Sequence, residues 1–314
     1  MLPRWPIGLS SWYRSLPVAA QNGRSDIIEH MICSRRDLAK LALGAPLAAF
    51  GKSKINSKID GVMIGSQTYS FRDLPNLDTR IDGMKQIGLG YAELTVSDIA
   101  PKDREQLKAW RANPPVDGIR AVRKKFDDAG IEIYSYNDSF RDDFTDDEID
   151  HGFQVARLLG VTRITASSNV TVSERVDKYA QRYKIVVGFH NHDSMKKNEF
   201  STPDDWKTAM AGRSKYIGIN LDIGHFTAAN FDPVSFIEEH HASIVTLHIK
   251  DRKKNHGPNM PFGEGDTDIK GVLQLLKNKK YPIPAMIEYE YGKPGMDTVA
   301  EVKKCFEFCK AALA

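Results

Sequence analysis

From Val62 onward one unit recurs: a short apolar run, a polar loop, then a segment whose apolar residues return with helical spacing. The apolar runs cover residues 62–66, 91–95, 131–137, 162–167, 186–192, 217–223, 244–249 and 284–289. Helical spacing covers residues 77–87, 117–129, 145–159, 173–183, 203–212, 233–242, 269–279 and 298–312. The runs are nearly continuous rather than alternating, which marks parallel strands covered outside and filled within. Eight strands and eight helices in strict order predict an α/β fold, a (β/α)8 TIM barrel, over an open doubly wound sheet. Several helix ends are readable. Thr145-Asp-Asp-Glu148 is a capping-box pattern with Gly160 beyond its helix, and Thr202 precedes a first-turn Pro203. The long charged loop over residues 97–118 is expected to carry a short extra helix, 102–110, partly over the barrel mouth. No G-x-G-x-x-G follows the first strand, which argues against a dinucleotide site.

The chain has 314 residues, 41% hydrophobic and 27% charged, with a net charge of +3. That apolar fraction excludes a disordered chain. Three cysteines exclude a disulfide scaffold and a cysteine-based zinc ribbon. No run of 18 apolar residues occurs, so no membrane-spanning helix and no stable membrane insertion are expected. Of 44 basic and 41 acidic residues, six and three fall in the first 51, so the remainder is neutral. A neutral barrel argues against nucleic acid as a partner. The first 51 residues read as a leader. Ser34-Arg-Arg-Asp-Leu-Ala-Lys40 precedes a weakly apolar stretch, Leu41 to Phe50, and resembles the twin-arginine pattern S-R-R-x-[FL]-x-K. A leader over 1–51 and a barrel over 52–314 are therefore expected, with the twin-arginine export machinery as partner and a periplasmic destination. An amphipathic helix packed on the barrel, in a cytoplasmic protein, is the alternative. Met31, just before the signal, is an alternative start.

Reactive groups of such a barrel gather at the C-terminal ends of the strands. The first run leads to Gln67, Tyr69 and Arg72, the second carries Glu93, and the third ends in Tyr136 and Asn137. Run five ends Phe189-His190-Asn191-His192-Asp193, and run six ends Asp222-Ile223-Gly224-His225. Run seven ends His248-Ile249-Lys250-Asp251-Arg252, and run eight ends Glu288-Tyr289-Glu290. Four of the nine histidines thus fall on one rim. An unpaired carboxylate or imidazole inside an apolar strand costs several kcal/mol. One such residue has a structural explanation, whereas four consecutive strands with such endings point to a metal site. His190, Asp222, His248 and Glu288 are the expected ligands. His192 and Glu290 lie two residues further and point the same way, as substrate contacts or as supports of the ligands. His225 is expected to contact substrate. Two imidazoles and two carboxylates suit one divalent ion, Mn²⁺, Zn²⁺, Co²⁺, Fe²⁺ or, less well, Mg²⁺.

These segments resemble the xylose-isomerase-like barrel superfamily, in its branch of sugar-phosphate isomerases and epimerases. The resemblance rests on Gly65-Ser-Gln-Thr-Tyr-Ser-Phe-Arg72, Gly188-Phe-His-Asn-His-Asp193, Asn220-Leu-Asp-Ile-Gly-His225, His248-Ile-Lys-Asp-Arg252, Pro261-Phe-Gly-Glu-Gly-Asp266 and Ile287-Glu288, and spans about residues 61–314. In the ketose 3-epimerases of that superfamily, a Glu, an Asp, a His and a second Glu hold one divalent ion, and the two glutamates are the acid/base pair. By motif, Asp222, His248 and Glu288 match the last three, and His190 stands where the first Glu is found. Arg252 resembles the family's arginine just after strand seven, and Gly263 and Gly265 its loop glycines.

The expected reaction is sugar isomerisation or epimerisation by proton abstraction next to a carbonyl. The metal ion would act as a Lewis acid and stabilise an enediolate. Glu288 would be the general base, and His190 or His192 would return the proton on the other face. His225, Arg252, Lys250, Glu93, Tyr69 and Glu290 are the candidate substrate contacts, with Lys250 and Arg252 alternatively paired to acids. A small carbohydrate is the expected partner. Alternatives are a lyase or dehydratase on a keto-sugar or keto-glycoside, an exported non-catalytic sugar-binding barrel, and an endonuclease-IV-like phosphodiesterase. The last needs three zinc ions, and Glu93 is the one further ligand that strands two to four supply.

Overall fold

The computed structural model describes residues 54–314, so the leader expected over 1–51 lies outside the described residues. The alternation read from the sequence is present in full. The strands are β1 (Val62–Gln67), β2 (Tyr91–Thr95), β3 (Glu132–Asn137), β4 (Arg163–Ala166), β5 (Val186–His190), β6 (Ile217–Asp222), β7 (Ile244–Ile249) and β8 (Ala285–Ile287). All neighbouring pairs are parallel, and β8 pairs with both β7 and β1, so the sheet closes into a barrel. A two-residue strand, Lys58–Ile59, folds back antiparallel on β1 before the barrel begins.

The helices are α1 (Leu77–Ile87), α2 (Arg104–Ala112), α3 (Val116–Ala129), α4 (Asp146–Leu158), α5 (Ser173–Tyr183), α6 (Pro203–Met210), α7 (Ile223–Ala228), α8 (Pro233–His240), α9 (Ile269–Lys279) and α10 (Thr298–Leu313). The capping box at Thr145 and Glu148 is formed in both directions. Gly88 and Gly130 close their helices in the left-handed conformation, which glycine adopts at least cost. The extra helix foreseen before strand three is α2, and its Trp110 is buried in the core. Phe126, Phe153, Trp206, Ile237 and Leu273 fill the layer between helices and barrel, all essentially without exposure. Cys305 and Cys309 are free, buried packing residues on α10.

Two departures from the sequence pattern lie at the rim that matters. Run six was expected to continue to residue 223, but β6 stops at Asp222 and α7 starts at once. The Asp222 carboxylate caps that helix, accepting from the His225 backbone N–H at 2.7 Å. Gly224 permits this turn, because a Cβ there would stand 2.7 Å from the Lys250 carbonyl oxygen. Run five stops at His190 rather than residue 192, where the Asn191 side chain turns to bridge the Asp222 backbone. It accepts from the N–H at 2.9 Å and donates to the carbonyl at 3.1 Å.

The chain after β7 is pinned by one carboxylate. Asp251 accepts backbone N–H bonds from Gly263 (2.8 Å), Gly265 (2.9 Å) and Thr267 (3.2 Å). This gathers the Pro261–Asp266 loop against Asp251–Arg252, which also pairs antiparallel with Asn259–Met260. Asp251 is 1% exposed, and none of its bonds goes to Lys250 or Arg252. Asp251→Ala is expected to leave those three donors without their acceptor and to lower stability by about 2–4 kcal/mol. Urea denaturation monitored by circular dichroism measures the loss.

Candidate metal centre and cleft

The C-terminal ends of β5 to β8 deliver four side chains to one point. His190 ends β5, Asp222 ends β6, His248 lies one residue before the end of β7, and Glu288 follows β8. The strand register sets two of them side by side, with Asp222 opposite His248. The Glu288 N–H continues the ladder by donating to the Ile249 carbonyl at 3.0 Å. One potential ligand atom from each residue lies within 4.8 Å of all the others, and all four residues are buried.

Each of the four also carries one buried polar atom that makes no hydrogen bond: His190 Nε2, Asp222 Oδ2, His248 Nδ1 and Glu288 Oε2. Leaving several such atoms unpaired in one spot costs roughly 1–3 kcal/mol apiece. They are close to one another, with His248 Nδ1 2.9 Å from Glu288 Oε2 and His190 Nε2 3.6 Å from Asp222 Oδ2. The remaining atoms of these residues are tied down behind them. His248 Nε2 lies 2.9 Å from Glu93 Oε1, which favours a proton on that nitrogen and leaves Nδ1 turned toward Glu288 Oε2 at 2.9 Å. His190 Nδ1 meets Ser167 Oγ at 3.3 Å. Asp222 Oδ1 is used by the helix cap. Two imidazole nitrogens and two carboxylate oxygens, converging and without hydrogen bonds, fit a divalent ion of the Mn²⁺, Zn²⁺, Co²⁺ or Fe²⁺ kind, and Lys250 Nζ stands 3.1 and 3.3 Å from the two oxygens.

Glu93 was expected at the substrate. It is instead wholly buried below His248, held by Gln67 Nε2 at 3.0 Å and Ser135 Oγ at 3.0 Å. Burial raises its pKa, but the His248 charge and these hydrogen bonds outweigh that and hold it lowered. Conversely, burial depresses His248, and Glu93 and Glu288 together raise it well above the usual imidazole value. Glu93 therefore orients a ligand and does not touch the cleft.

Lys250 and Arg252 also stand behind the cleft wall and not on it. Lys250 Nζ is 3.1 Å from Asp222, 3.3 Å from Glu288, 2.7 Å from Glu290 and 3.0 Å from His225 Nε2. Burial lowers its pKa, and the three carboxylates more than reverse the effect, so it stays protonated. Arg252 donates to the Gly257 carbonyl at 2.6 and 3.1 Å and pairs with Asp193 at 2.7 Å. The acids that engage these cations are Asp193, Asp222, Glu288 and Glu290.

The cleft above the four ligands measures about 370 Å³. It is lined by Gln67, Tyr69, Thr95, Ser97, Asn137, Ser167, His190, His192, His225, His248, Glu288 and Glu290. Tyr69, His192, His225 and Glu290 are thus brought to the cleft as expected. His192 is kept neutral, its pKa lowered to about 3 by burial and by His190 and His225. Burial and then Lys250 lower His225 as well. Tyr289 is a core residue, its backbone N–H bonded to Ser70. Sequence reasoning missed Ser167, Thr95, Ser97 and Asn220. Asn220 Nδ2 lies 3.2 Å from His248 Nε2, and its period-two relation to Asp222 is the signal that could have found it. A larger cleft of about 430 Å³ at the other end of β4 to β7 includes Arg163, Arg213 and Lys215 but none of these ligands.

A closed (β/α)8 barrel with a buried His-Asp-His-Glu cluster under a polar cleft defines the class of (β/α)8 TIM-barrel proteins. Within it, the chain belongs to the xylose isomerase-like TIM barrel family, which matches residues 81–311. It is 34% identical over 93 residues to the L-ribulose-5-phosphate 3-epimerase UlaE of Escherichia coli, covering 30% of this chain and 32% of that protein. The chain therefore spans about a third of the length of the curated relatives it matches. Among solved structures it is similar to a sugar phosphate isomerase/epimerase from Parabacteroides distasonis, with 19% identity and a TM-score of 0.60 over 84% of this chain and 99% of that one. The IOLI protein with a bound zinc atom is similar at 15% identity and a TM-score of 0.62, over 80% and 98% of the two chains. These likenesses establish the barrel.

Glu93→Gln is expected to weaken divalent-ion binding by about 10- to 100-fold while leaving the fold intact. Titration with Mn²⁺ or Zn²⁺ by isothermal calorimetry, beside circular dichroism, checks both halves.

Proposed function

We propose that the protein is a divalent-metal-dependent sugar isomerase or epimerase acting by proton abstraction next to a carbonyl. The observation that carries this reading is the set of four converging buried atoms without hydrogen bonds on His190, Asp222, His248 and Glu288, beside a hydroxyl-rich cleft. A divalent ion held by those residues supplies Lewis-acid polarisation of the substrate carbonyl.

The chain's own residues divide the remaining work. Glu288 faces the cleft and is the base. Burial alone would raise its pKa, but Lys250 and His248 hold it well below the ordinary carboxylate value, so it is ionised at neutral pH. His192 also lines the cleft, and its ring lies 5.0 Å from that of His190. As a neutral imidazole it can pass a proton on from a different direction than Glu288. Gln67, Thr95, Ser97, Asn137 and Ser167 offer donors and acceptors for sugar hydroxyls, and Tyr69 offers an apolar face at the mouth.

The histidine at the first ligand position favours a second reading, elimination of water or a glycoside. There His190 or His192 would protonate the leaving group. Both reactions begin with the same C–H cleavage, and product mass separates them.

Glu288→Gln is expected to abolish turnover without unfolding the protein. The assay is solvent-deuterium incorporation into ketoses in D₂O with added Mn²⁺, followed by NMR. Full activity in that variant would remove Glu288 as the base. Protein purified without chelator is expected to contain about one divalent ion per chain by elemental analysis, and its persistent absence would remove the metal reading.

We also propose that Ser34–Lys40 directs twin-arginine export of the folded chain. The support is the Arg35-Arg36 pair and the apolar stretch after it. Arg35→Lys together with Arg36→Lys is expected to retain the protein in the cytoplasm, as cell fractionation would show.

A further inference from the structure

Resting on the proton-abstraction reading, we infer that this cleft takes an uncharged ketose rather than a phosphate ester, and that Glu290 sets the choice. A phosphate monoester brings a charge of about −1.5 to −2 at neutral pH and is normally met by an available Arg, Lys or helix N-terminus. Among the described residues, the cleft lining includes no lysine and no arginine. The two cations nearest to it are already committed. Lys250 serves Asp222, Glu288 and Glu290 at 2.7–3.3 Å, and it is 1% exposed. Arg252 spends three of its nitrogens on Asp193 and the Gly257 carbonyl. At the rim, Arg72 donates to the Tyr289 and Tyr69 carbonyls at 2.9 and 3.3 Å and packs on the Tyr69 ring.

The local charge is anionic. Glu93, Asp193, Asp222, Glu288 and Glu290 outnumber Lys250 and Arg252 by three, so one divalent ion leaves no positive surplus for a phosphate. Two of these carboxylates, Glu288 and Glu290, are on the cleft wall. Glu290 keeps 21% of its side chain exposed, so one face of its carboxylate meets whatever enters. It can accept hydrogen bonds from hydroxyl groups and repels a phosphate.

The test compares ketopentoses and ketohexoses with their terminal phosphate esters, using the metal-loaded protein. Calorimetric titration measures binding, and deuterium incorporation in D₂O measures turnover. The wild type is expected to bind a free ketose at least about tenfold tighter than its phosphate ester. Glu290→Gln is expected to narrow that ratio by about tenfold, which is ~1.4 kcal/mol. Equal or tighter binding of the phosphate ester by the wild type overturns the inference, as does an unchanged ratio in Glu290→Gln. It also falls if no ketose binds. Deuterium incorporation into none of the compounds, despite selective binding of the free sugar, would instead overturn the proton-abstraction reading and leave the selectivity standing.

Discussion

The Lys250 ammonium is the charge on which the site is built. Asp222 and Glu288 are both buried at the strand ends, and two carboxylates this close would repel each other and tend to protonate. Lys250 stands within 3.3 Å of both and of Glu290, behind the cleft wall. It keeps them ionised without reaching into the cleft. The oxygens it touches, Asp222 Oδ2 and Glu288 Oε2, are the same two that face the His190 and His248 rings. Gly224 completes this arrangement, since its missing side chain makes room for the Lys250 backbone and stem. Removing the ammonium would disturb Asp222, Glu288 and Glu290 at once. Buried ion pairs are therefore better understood here as a means of placing charge than as a source of stability.

A second layer holds the imidazoles. Glu93 comes from β2, on the far side of the barrel from β7, and meets His248 155 positions later in the chain. Ser135 on β3 and Gln67 on β1 hold Glu93 in turn. The interior of the closed barrel is what lets one strand act on another across it. A flat sheet of the same strands would separate β2 from β7. The fold thus sets which nitrogen of His248 faces Glu93 and which faces Glu288.

Most of the architecture was legible in the sequence, because continuous apolar runs and helical spacing announce parallel strands and their covering helices directly. That His190, Asp222, His248 and Glu288 come together was legible for a related reason: a carboxylate or imidazole in an apolar strand has to be accounted for. The partners of those residues were not legible. Glu93 is an acid on a strand like Glu288, and only the barrel's curvature decides that one meets the cleft and the other the back of a histidine. Lys250 and Arg252 read as ligands for hydroxyls because their rim position was visible, whereas the acids that claim them come from β5, β6 and β8. Helix α7 was hidden because Asp222 ends a strand and caps a helix in one residue, and no turn residues separate the two.

That double use has a consequence for how such a protein can change. Asp222 gives one oxygen to the start of α7 and leaves the other facing the ligand cluster. An asparagine in the same place would still cap the helix through its carbonyl and keep the barrel whole, but it would offer the cluster an amide in place of an anion. Architecture and chemistry are thus separable at a single atom. A lineage carrying this barrel has a short mutational path from a catalyst to a well-folded protein that only recognises a sugar, and an equally short path back.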